Sequence, residues 1–451
     1  MDVAHAILFA KAIDISRVTA DYSSAKFELH PWKTDTERRF LSMDTGNLFA
    51  VALNLPRPWC ISQVEFKPTE DGSMELHIHI AFQRGGKFPC PQDHCDKSFP
   101  AYDTTPRTWR HLNFFQYKTY IHADLPRIQC EKHGVKTVQV PWAREGSGFT
   151  LLFESWIIEL AKHLPVAVIA RMVAEHDTRL WRFIHHYVDK ARALEDYSEV
   201  TAIGMDETSK KGHNYITVVA DLSQRKVIFV TDGKDSTTVR RFAADFEAHR
   251  GNTERVDLIT CDMSLGFRKG IQESFENSRT IIDKFHVIKH ANEAVDKVRK
   301  MEAKENVLLK NSKYLWLKND ANLTEKQREK KETLQKKHLK TARACAMRIE
   351  LQEIYEQSVH RDEAEQRLKK LCSWMMHARL EPMKKFCGTI RNHWDEILYY
   401  FEHPYTNAIL EGMNSIIQNI KRRARGFRND EYFKTMIYLG CGKLNLNIQI
   451  P

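Results

Sequence analysis

The sequence predicts an α+β protein of several domains, in which a mixed α/β core is interrupted by an all-helical insertion. Three observations support this prediction. The chain has 451 residues, which is more than one ordinary domain contains. Strand-like runs dominate residues 59–130 and 199–287, whereas residues 290–400 are helical in pattern and rich in charge. Paired Cys and His residues lie among the first strand-like runs, and a compact helical unit separates them from the core.

Composition narrows the classes of partner. The net charge of +10 favours a polyanion as the partner. The chain has no run of about 18 apolar residues, so we expect no membrane span. Its first residues lack the basic start of a signal peptide. Nine cysteines in such a chain indicate thiols and metal ligands, and not a disulfide framework.

Residues 1–43 show no clear period and are predicted to be an N-terminal extension, with Met43 as an alternative start of the chain. A short helix is expected before Pro56. The next residues, up to about 83, are typical of a β-hairpin. Within it His77 and His79 share one strand face; we interpret them as a solvated face, with metal ligation as the alternative.

Two ligand pairs predict a zinc ribbon in the domain formed by residues 44–145. Cys90 and Cys95 form a C-x4-C pair, and Cys130 and His133 form a C-x2-H pair. Each pair lies on a turn, and strands separate the two pairs. Zinc takes four sulfur or nitrogen ligands in a tetrahedron, and a closed site of this kind is structural. His94 is a rival to Cys95, although adjacent residues do not easily face one ion.

Basic and aromatic residues stand between the two ligand pairs, among them Trp109 and Arg110. They suit a nucleic-acid surface, and they equally suit the small core of a ribbon.

The domain formed by residues 146–196 is predicted to hold three helices, Leu151–His163, Val166–Glu175 and Arg179–Leu194, with Thr178 as the cap of the third. A short second helix and a tight link are typical of a helix-turn-helix. The third helix would then offer DNA a set of basic and aromatic residues: Arg179, Trp181, Arg182, His185, His186 and Lys190. A plain three-helix spacer is the alternative.

Residues 197–292 are predicted to form the first part of the core. A strand ends at Asp206, two further strands and a helix follow, and a fourth strand ends at Asp262. A helix and a fifth strand come next. This order is typical of a ribonuclease H-like core, in which the strands that carry Asp206 and Asp262 are neighbours. Glu207 faces away from Asp206, and we interpret Asp221, Asp232 and Asp235 as surface residues.

Residues 293–402 are predicted to be the helical insertion, with Thr324 as a helix N-cap. Its charge runs are typical of solvated helix faces, and a DNA groove is the alternative. Residues 403–451 are predicted to supply the last helix of the core and a basic tail. Asn407, Glu411 and Asn414 share one face of that helix; a capping and solvent stripe is the alternative to metal ligation there.

These carboxylates predict a site for two Mg²⁺ or Mn²⁺ ions. Mg²⁺ prefers carboxylate and water oxygens as ligands. Two such metal ions can stabilise both the attacking and the leaving oxygen when a phosphodiester is displaced. Asp206 is the candidate bridging ligand, with Asp262 and Glu411 on either side. His286 is a candidate to contact the scissile phosphate or orient a water. The basic run after Glu411 would hold the DNA backbone through Lys421, Arg422, Arg423, Arg425 and Arg428.

From about residue 44 onward, the chain resembles bacterial insertion-sequence transposases of the Asp-Asp-Glu class, in the ISL-three (ISL3) family. The resemblance is carried by these stretches: Gly204–Glu207, Cys261–Ser264, Asp283–Val287, Trp316–Glu325 and Asn407–Asn414 with the basic run after it. The Cys90, Cys95, Cys130 and His133 set is similar to the zinc-binding domain of that family.

The resemblance implies a metal-dependent DNA transposase with Asp206, Asp262 and Glu411 as its acidic triad. It also implies binding to the terminal inverted repeats of the element, strand cleavage by water, and strand transfer to target DNA by the freed 3′-hydroxyl. A homodimer or higher oligomer on DNA and a cytoplasmic, nucleoid-associated location in a bacterium follow from it. The alternatives are an inactive or domesticated DNA-binding relative and a structure-selective nuclease on the same core.

Overall fold

The computed structural model describes residues 45–211, 214–402 and 408–448. The predicted extension at residues 1–43 and Asn407 lie outside the described residues. The helix expected before Pro56 is present as α1, Thr45–Ala52.

The N-terminal domain is a six-stranded sheet with the order β1-β2-β5-β4-β3, and β6 pairs with β5. Its strands are β1 (Trp59–Pro68), β2 (Met74–Phe82), β3 (Lys87–Pro89), β4 (Ser98–Phe114), β5 (Tyr117–Cys130) and β6 (Gly134–Thr137). Trp109 is 4% exposed and Arg110 is 1% exposed, so both belong to the interior of this region and not to a nucleic-acid surface. His77 and His79 are half-buried rather than solvated: His77 contacts His122 at 2.8 Å, and His79 contacts Glu65 at 3.0 Å.

Three helices follow: α2 (Leu151–His163), α3 (Val166–Val173) and α4 (Asp177–Arg192). Thr150 caps α2 by accepting a hydrogen bond from the backbone N–H of Phe153. The prediction that Thr178 caps the third helix is wrong. His176 is the N-cap, and its ring accepts from the backbone N–H of Thr178, which already lies in the first turn.

The central sheet has five strands in the order β11-β10-β7-β8-β9. Its strands are β7 (Ala202–Lys211), β8 (Asn214–Asp221), β9 (Lys226–Asp232), β10 (Leu258–Cys261) and β11 (Arg279–Ile282). β11, β10 and β7 run parallel, whereas β7, β8 and β9 form an antiparallel meander. Two helices connect the strands: α5 (Ser236–Ala248) and α6 (Leu265–Ser274).

β7 is longer than the sequence predicts. Asp206 therefore lies inside this strand and not at its end, because β8 continues to pair with β7 as far as Lys211. The parallel partner β10 pairs only with the residues from Ala202 to Gly204. Asp206 is thus just past the end of the parallel part of the sheet.

Both faces of the central sheet are covered. One face packs against α5 and α6 through an aromatic core that includes Phe242, Phe246 and Phe267. The opposite face packs against α2–α4 and against two C-terminal helices, α14 (Ala408–Arg423) and α15 (Asp430–Cys441). The three-helix unit therefore shares a core with the central sheet.

α15 corrects the prediction of a basic tail after the last core helix. α14 ends at Arg423, and α15 then packs its residues Phe433, Met436 and Ile437 into the core. Tyr438 also anchors α15 to β9, because its hydroxyl accepts a hydrogen bond of 2.8 Å from the backbone N–H of Val230.

A helical region lies between β11 and α14 in the chain. Its helices are α7 (Lys284–Glu302), α8 (Lys313–Leu317), α9 (Glu325–Gln335), α10 (Lys340–Gln357), α11 (Arg361–His377), α12 (Glu381–Asn392) and α13 (Trp394–Leu398). Thr324 caps α9 in a capping box with Gln327, as predicted. α7 runs unbroken from the sheet into this region, so the predicted boundary at residue 293 falls inside it. Among the described residues, no helix is long and apolar enough to cross a membrane.

Burial of His111 makes the stability of the N-terminal half sensitive to pH. Its ring contacts the Thr150 hydroxyl at 2.9 Å, at the cap of α2. Burial, and then the charge of Arg110, lower the pKa of His111 from 6.5 to about 4. The unfolded chain therefore binds more protons between these two values, so stability falls as the pH drops through this window. We expect a loss of about 2 kcal/mol between pH 7 and pH 5 that His111→Asn removes.

Urea unfolding at both pH values measures this loss. His163→Gln changes an exposed histidine and should leave the pH dependence as it is in the wild type. A His111→Asn variant that loses as much stability as the wild type would contradict the assignment.

Gly204 allows α14 to approach β7 closely. A Cβ atom at this position would lie 2.6 Å from Leu410 Cδ1 and 2.8 Å from Leu222 Cδ2. Both leucines are buried, so we expect Gly204→Ala to destabilise the protein by about 1–3 kcal/mol. Gly388→Ala, in α12, meets nothing within 4 Å and should instead stabilise by up to about 1 kcal/mol. Denaturant unfolding of the two variants tests the contrast, and equal effects would exclude it.

Candidate functional site

The parallel register of β7 and β10 brings Asp206 and Asp262 into the same row. Gly204 pairs with Thr260, and each aspartate lies two residues beyond its member of that pair. Residues two apart lie on the same face of a strand. On the other side of β10, Cys261 pairs with Ile282, so Asp283 follows β11 where Asp262 follows β10. Three aspartates therefore lie near the carboxyl-terminal ends of the two parallel pairings of the sheet, on or just after neighbouring strands.

Three residues contact the carboxylate of Asp206. Its Oδ1 accepts a hydrogen bond of 2.8 Å from the backbone N–H of Glu207. Its Oδ2 accepts a hydrogen bond from the side-chain amide of Asn414, on α14. His286 Nε2, in the first turn of α7, lies 3.9 Å from Oδ1. The site thus joins a strand to two helices that are distant in sequence.

Burial raises the pKa of Asp206 above its ordinary value. The nearby His286 and the hydrogen bonds from Glu207 and Asn414 oppose this rise in the pKa, whereas the charge of Asp262 adds to it. Asp206 and Asp262 therefore interact electrostatically as like charges. A cation between them would remove both the burial cost and the repulsion.

Asp262 is half-buried and belongs to the turn that leads into α6. Its Oδ1 accepts a hydrogen bond of 2.9 Å from the backbone N–H of Ser264, the residue that precedes α6. This contact fixes the direction of one oxygen of the carboxylate.

Glu411 lies in the first turn of α14 and is exposed. Desolvation by the surrounding protein raises its pKa, the charge of Asp283 adds to this rise, and His286 opposes it. His286 therefore influences both Asp206 and Glu411 electrostatically. Within the described ranges, the only group of three or more Cys, His, Asp or Glu ligand atoms within 4.8 Å of one another is the Cys/His cluster of the N-terminal domain. The oxygens of Asp206, Asp262 and Glu411 are spaced more widely than this.

The predicted zinc ligands do meet. Cys90, Cys95, Cys130 and His133 bring their ligand atoms within 4.8 Å of one another, and His94 is not among them. His133 Nδ1 lies 3.5 Å from the sulfurs of Cys90 and Cys130, and the sulfurs of Cys95 and Cys130 are 3.9 Å apart. A tetrahedron with Zn–S distances of about 2.3 Å has edges of roughly 3.7 Å, so the set fits zinc.

The surroundings of Cys130 favour its thiolate, which is the form that binds a metal ion. Burial works against its ionisation, but the backbone N–H groups of Lys132 and His133 donate to its sulfur and lower the pKa of this thiol to about 6.

The predicted DNA-contacting residues of α4 divide into two groups. Trp181 and His185 do not face solvent, because Trp181 stacks on Tyr432 with ring centroids 4.1 Å apart and His185 contacts the Thr435 hydroxyl at 2.7 Å. Arg182 is exposed. Arg179 is exposed in part, but it pairs with Glu175 and lies 4.4 Å from the ring of Phe149.

The basic run is also divided. Lys421 donates a hydrogen bond of 2.8 Å to the backbone carbonyl of Ser209, and Arg423 donates to that of His163. Arg422, Arg425 and Arg428 are exposed, and the last two lie beyond the end of α14.

Thr208 supports the site although its role was not predicted from the sequence. Thr208 donates a hydrogen bond of 2.7 Å to the side-chain oxygen of Asn414, which turns the amide nitrogen toward Asp206. Its position two residues after Asp206, on the same strand face, is the signal that could have found it. Asp232 is not a plain surface residue, because it binds Lys210 at 2.6 Å and Lys434 at 2.5 Å.

Asp221 also departs from the surface interpretation. It is 1% exposed and accepts hydrogen bonds from the backbone N–H groups of Ser223 and Gln224. It therefore shapes the turn between β8 and β9. Asp235 caps α5 in a capping box.

Three family models match consecutive parts of the chain. Residues 87–133 match a zinc-finger of the transposases of IS204, IS1001, IS1096 and IS1165. Residues 138–188 match the helix-turn-helix domain of transposase family ISL3, and residues 203–437, which are more than half of the chain, match the transposase domain of that family. The chain belongs to the ISL3 family of transposases. The order of zinc ribbon, helix-turn-helix and transposase domain agrees with the sequence analysis.

Curated relatives of this ISL3 transposase include two insertion-sequence transposases. The transposase of IS1557 from Mycobacterium tuberculosis is 25% identical and aligns with 86% of this chain and 94% of its own length. That of IS1001 from Bordetella parapertussis is 27% identical and aligns with 74% of this chain and 84% of its own length. Among solved structures, the Drosophila P element transposase strand transfer complex is similar at 12% identity with a TM-score of 0.38, over 68% of this chain and 95% of that one.

The zinc site of the ISL3 transposase generates a direct prediction. Cys130→Ser removes one of four ligands, so we expect the zinc content to fall from about one ion per chain toward none and the N-terminal domain to lose stability. Metal analysis and thermal unfolding measure both effects. Cys60→Ser, outside the cluster, is the matched control and should keep its zinc. Equal zinc contents in the two variants would exclude the assigned ligand set.

Proposed function

We propose that this ISL3 transposase cleaves and transfers DNA strands with Asp206, Asp262 and Glu411 as its metal-binding carboxylates. In the proposed reaction, water attacks the phosphorus at the end of the element and the bond to the 3′-oxygen breaks. The freed 3′-hydroxyl then attacks the phosphorus of a phosphodiester in the target DNA, and the new P–O bond displaces the 3′-oxygen of the target strand, which leaves as a hydroxyl.

The observation that carries the proposal is the shared register of Asp206 and Asp262 on neighbouring parallel strands, with α14 bound to Asp206 through Asn414. Glu411 lies three residues before Asn414 on the same helix, and residues three apart lie on one helix face. The order and pairing of the five strands also support a ribonuclease H-like core.

We propose that these carboxylates bind two Mg²⁺ or Mn²⁺ ions, and the chemistry of the ligands supports this, although their oxygens are spaced more widely than the ligand atoms of the zinc cluster. They offer hard carboxylate oxygens, and burial and mutual repulsion already disfavour the charged form of Asp206. Such ions supply charge stabilisation to the attacking and the leaving oxygen of a phosphodiester. His286, whose Nε2 lies 3.9 Å from Oδ1 of Asp206, would contact the scissile phosphate or orient the attacking water. Asn414 and Thr208 hold Asp206 in position.

The proposed function is distributed over several domains. We propose that residues 44–145 form the zinc ribbon domain, 146–196 the helix-turn-helix domain, and 197–292 with 403–451 the catalytic core around the helical region of residues 293–402.

The proposed contacts to the ends of the element are basic residues on two helices. They are Arg179 and Arg182 on α4, and Lys421, Arg422, Arg423, Arg425 and Arg428 at and beyond the end of α14. Arg182, Arg422, Arg425 and Arg428 are the exposed members whose side chains have neither an ion-pair partner nor a hydrogen-bond partner in the described part of the chain. Since an element has two ends and each chain has one carboxylate site, we propose a homodimer or higher oligomer on DNA.

Substitution of the three carboxylates tests the proposal. Asp206→Asn, Asp262→Asn and Glu411→Gln should each lower cleavage and joining by about 100-fold or more, because loss of a metal ligand forfeits several kcal/mol of charge stabilisation. DNA binding measured without metal should remain. The readout is the release and joining of labelled DNA that carries the ends of the element, with Mg²⁺ or Mn²⁺.

Asp257→Asn is the matched control, because Asp257 is exposed and precedes β10 at the end away from Asp262. Activity that persists in Asp206→Asn would refute the triad. Wild-type protein that binds DNA but never cuts it would support an inactive relative. Cleavage of branched DNA without joined products would support a structure-selective nuclease.

A further inference from the structure

A groove runs along α7 on the helical region. A cavity of 660 Å³ lies between α7 and α12. A second cavity of 290 Å³ adjoins it and shares Met301, Lys304, Glu381 and Pro382 with it. The two cavities therefore form one continuous groove, which we name the α7–α12 groove.

Lysines dominate the charge of the larger cavity. Lys297, Lys300, Lys304 and Lys385 line it, against Glu293 and Glu381. Lys300 pairs with Asp296 at 3.0 Å. Lys297, Lys304 and Lys385 are exposed and have no ion-pair partner in the portion of the chain that the structure describes. Three cationic side chains are thus available to an anion in the groove.

The groove is continuous with the carboxylate site along one helix. His286 stands beside Asp206 in the first turn of α7, and groove residues follow it on this helix at steps of three or four: His290, Glu293, Lys297 and Lys300. Residues at this spacing share one helix face. Lys304 lies in the turn just beyond the end of the helix. With a rise of 1.5 Å per residue, Lys297 and Lys300 lie about 16 and 21 Å from His286 along the axis.

We propose that the α7–α12 groove binds the phosphate backbone of the DNA whose strand reacts at the carboxylates. The inference rests on the proposed function, because it takes those carboxylates as the point of reaction. At about 3.4 Å per base pair, and with the DNA along α7, Lys297 lies roughly five base pairs from that point. Lysine binds phosphate as a point charge, so the contact carries no sequence preference. The helical region then lengthens the DNA-binding surface of the transposase.

The salt dependence of DNA binding tests this groove. Each phosphate contact that is lost lowers the slope of log K against log salt by about 0.9. The triple variant Lys297→Gln, Lys304→Gln, Lys385→Gln should therefore lower the slope by about 2–3, equally on end-bearing and random duplexes. Fluorescence anisotropy without added Mg²⁺ or Mn²⁺ measures binding without cleavage and leaves the structural zinc in place, so failure of the catalytic triad would not alter the result.

Two further variants separate charge from shape. Replacement of the same three lysines by Arg keeps the charge and should keep most of the slope. Replacement of Lys326, Lys330 and Lys336 by Gln removes the same charge from exposed positions that line neither cavity and should change the slope far less. Each single Gln substitution in the groove should lower the slope by about 1, so the test does not depend on the triple variant alone. An unchanged slope, or an equal fall in the control triple, would overturn the proposal.

Discussion

The candidate site depends on the pairing of Gly204 with Thr260 in the parallel part of the central sheet. This register sets Asp206 and Asp262 in one row, and a slip of one residue would turn one of them to the other face. Gly204 also allows Leu410 to pack directly on β7. The pairing of Gly204 with Thr260 thus aligns two carboxylates. The missing side chain at Gly204 also leaves room for α14, the helix that carries Glu411.

α7 couples the helical region to this sheet. Its first turn places His286 near Asp206, and its buried residues Val287, Ala291 and Val295 then enter the core of the helical region. Because one unbroken helix spans both parts, the helical region has a defined direction relative to the carboxylates. A surface on the far end of α7 can therefore contact DNA that is held at the site.

Sequence reasoning succeeded where the signal is local. The Cys and His pairs are recognisable by their short spacings, and their ligand atoms meet. The strands that lead to Asp206 and Asp262 are neighbours, as the order of the strand-like runs predicts. It failed where a distant partner decides. In the sequence, Trp181 has the pattern of an exposed aromatic residue of a recognition helix, but in the structure it stacks on Tyr432. α15 was missed although Asn429 supplies a cap and Asp430 and Glu431 an acidic first turn, because the basic run before it suggested a tail.

The support of Asp206 also lies beyond local patterns, since Asn414 reaches it across 208 positions of sequence. Thr208 donates to the oxygen of that amide, so its nitrogen must point to Asp206. A buried carboxylate without such donors would be costly, and these contacts offset part of the cost while the raised pKa shows that a part remains. The position of α14 and the orientation of Asp206 are therefore one linked arrangement: displacement of the helix would remove a hydrogen bond from the carboxylate and carry Glu411 away with it.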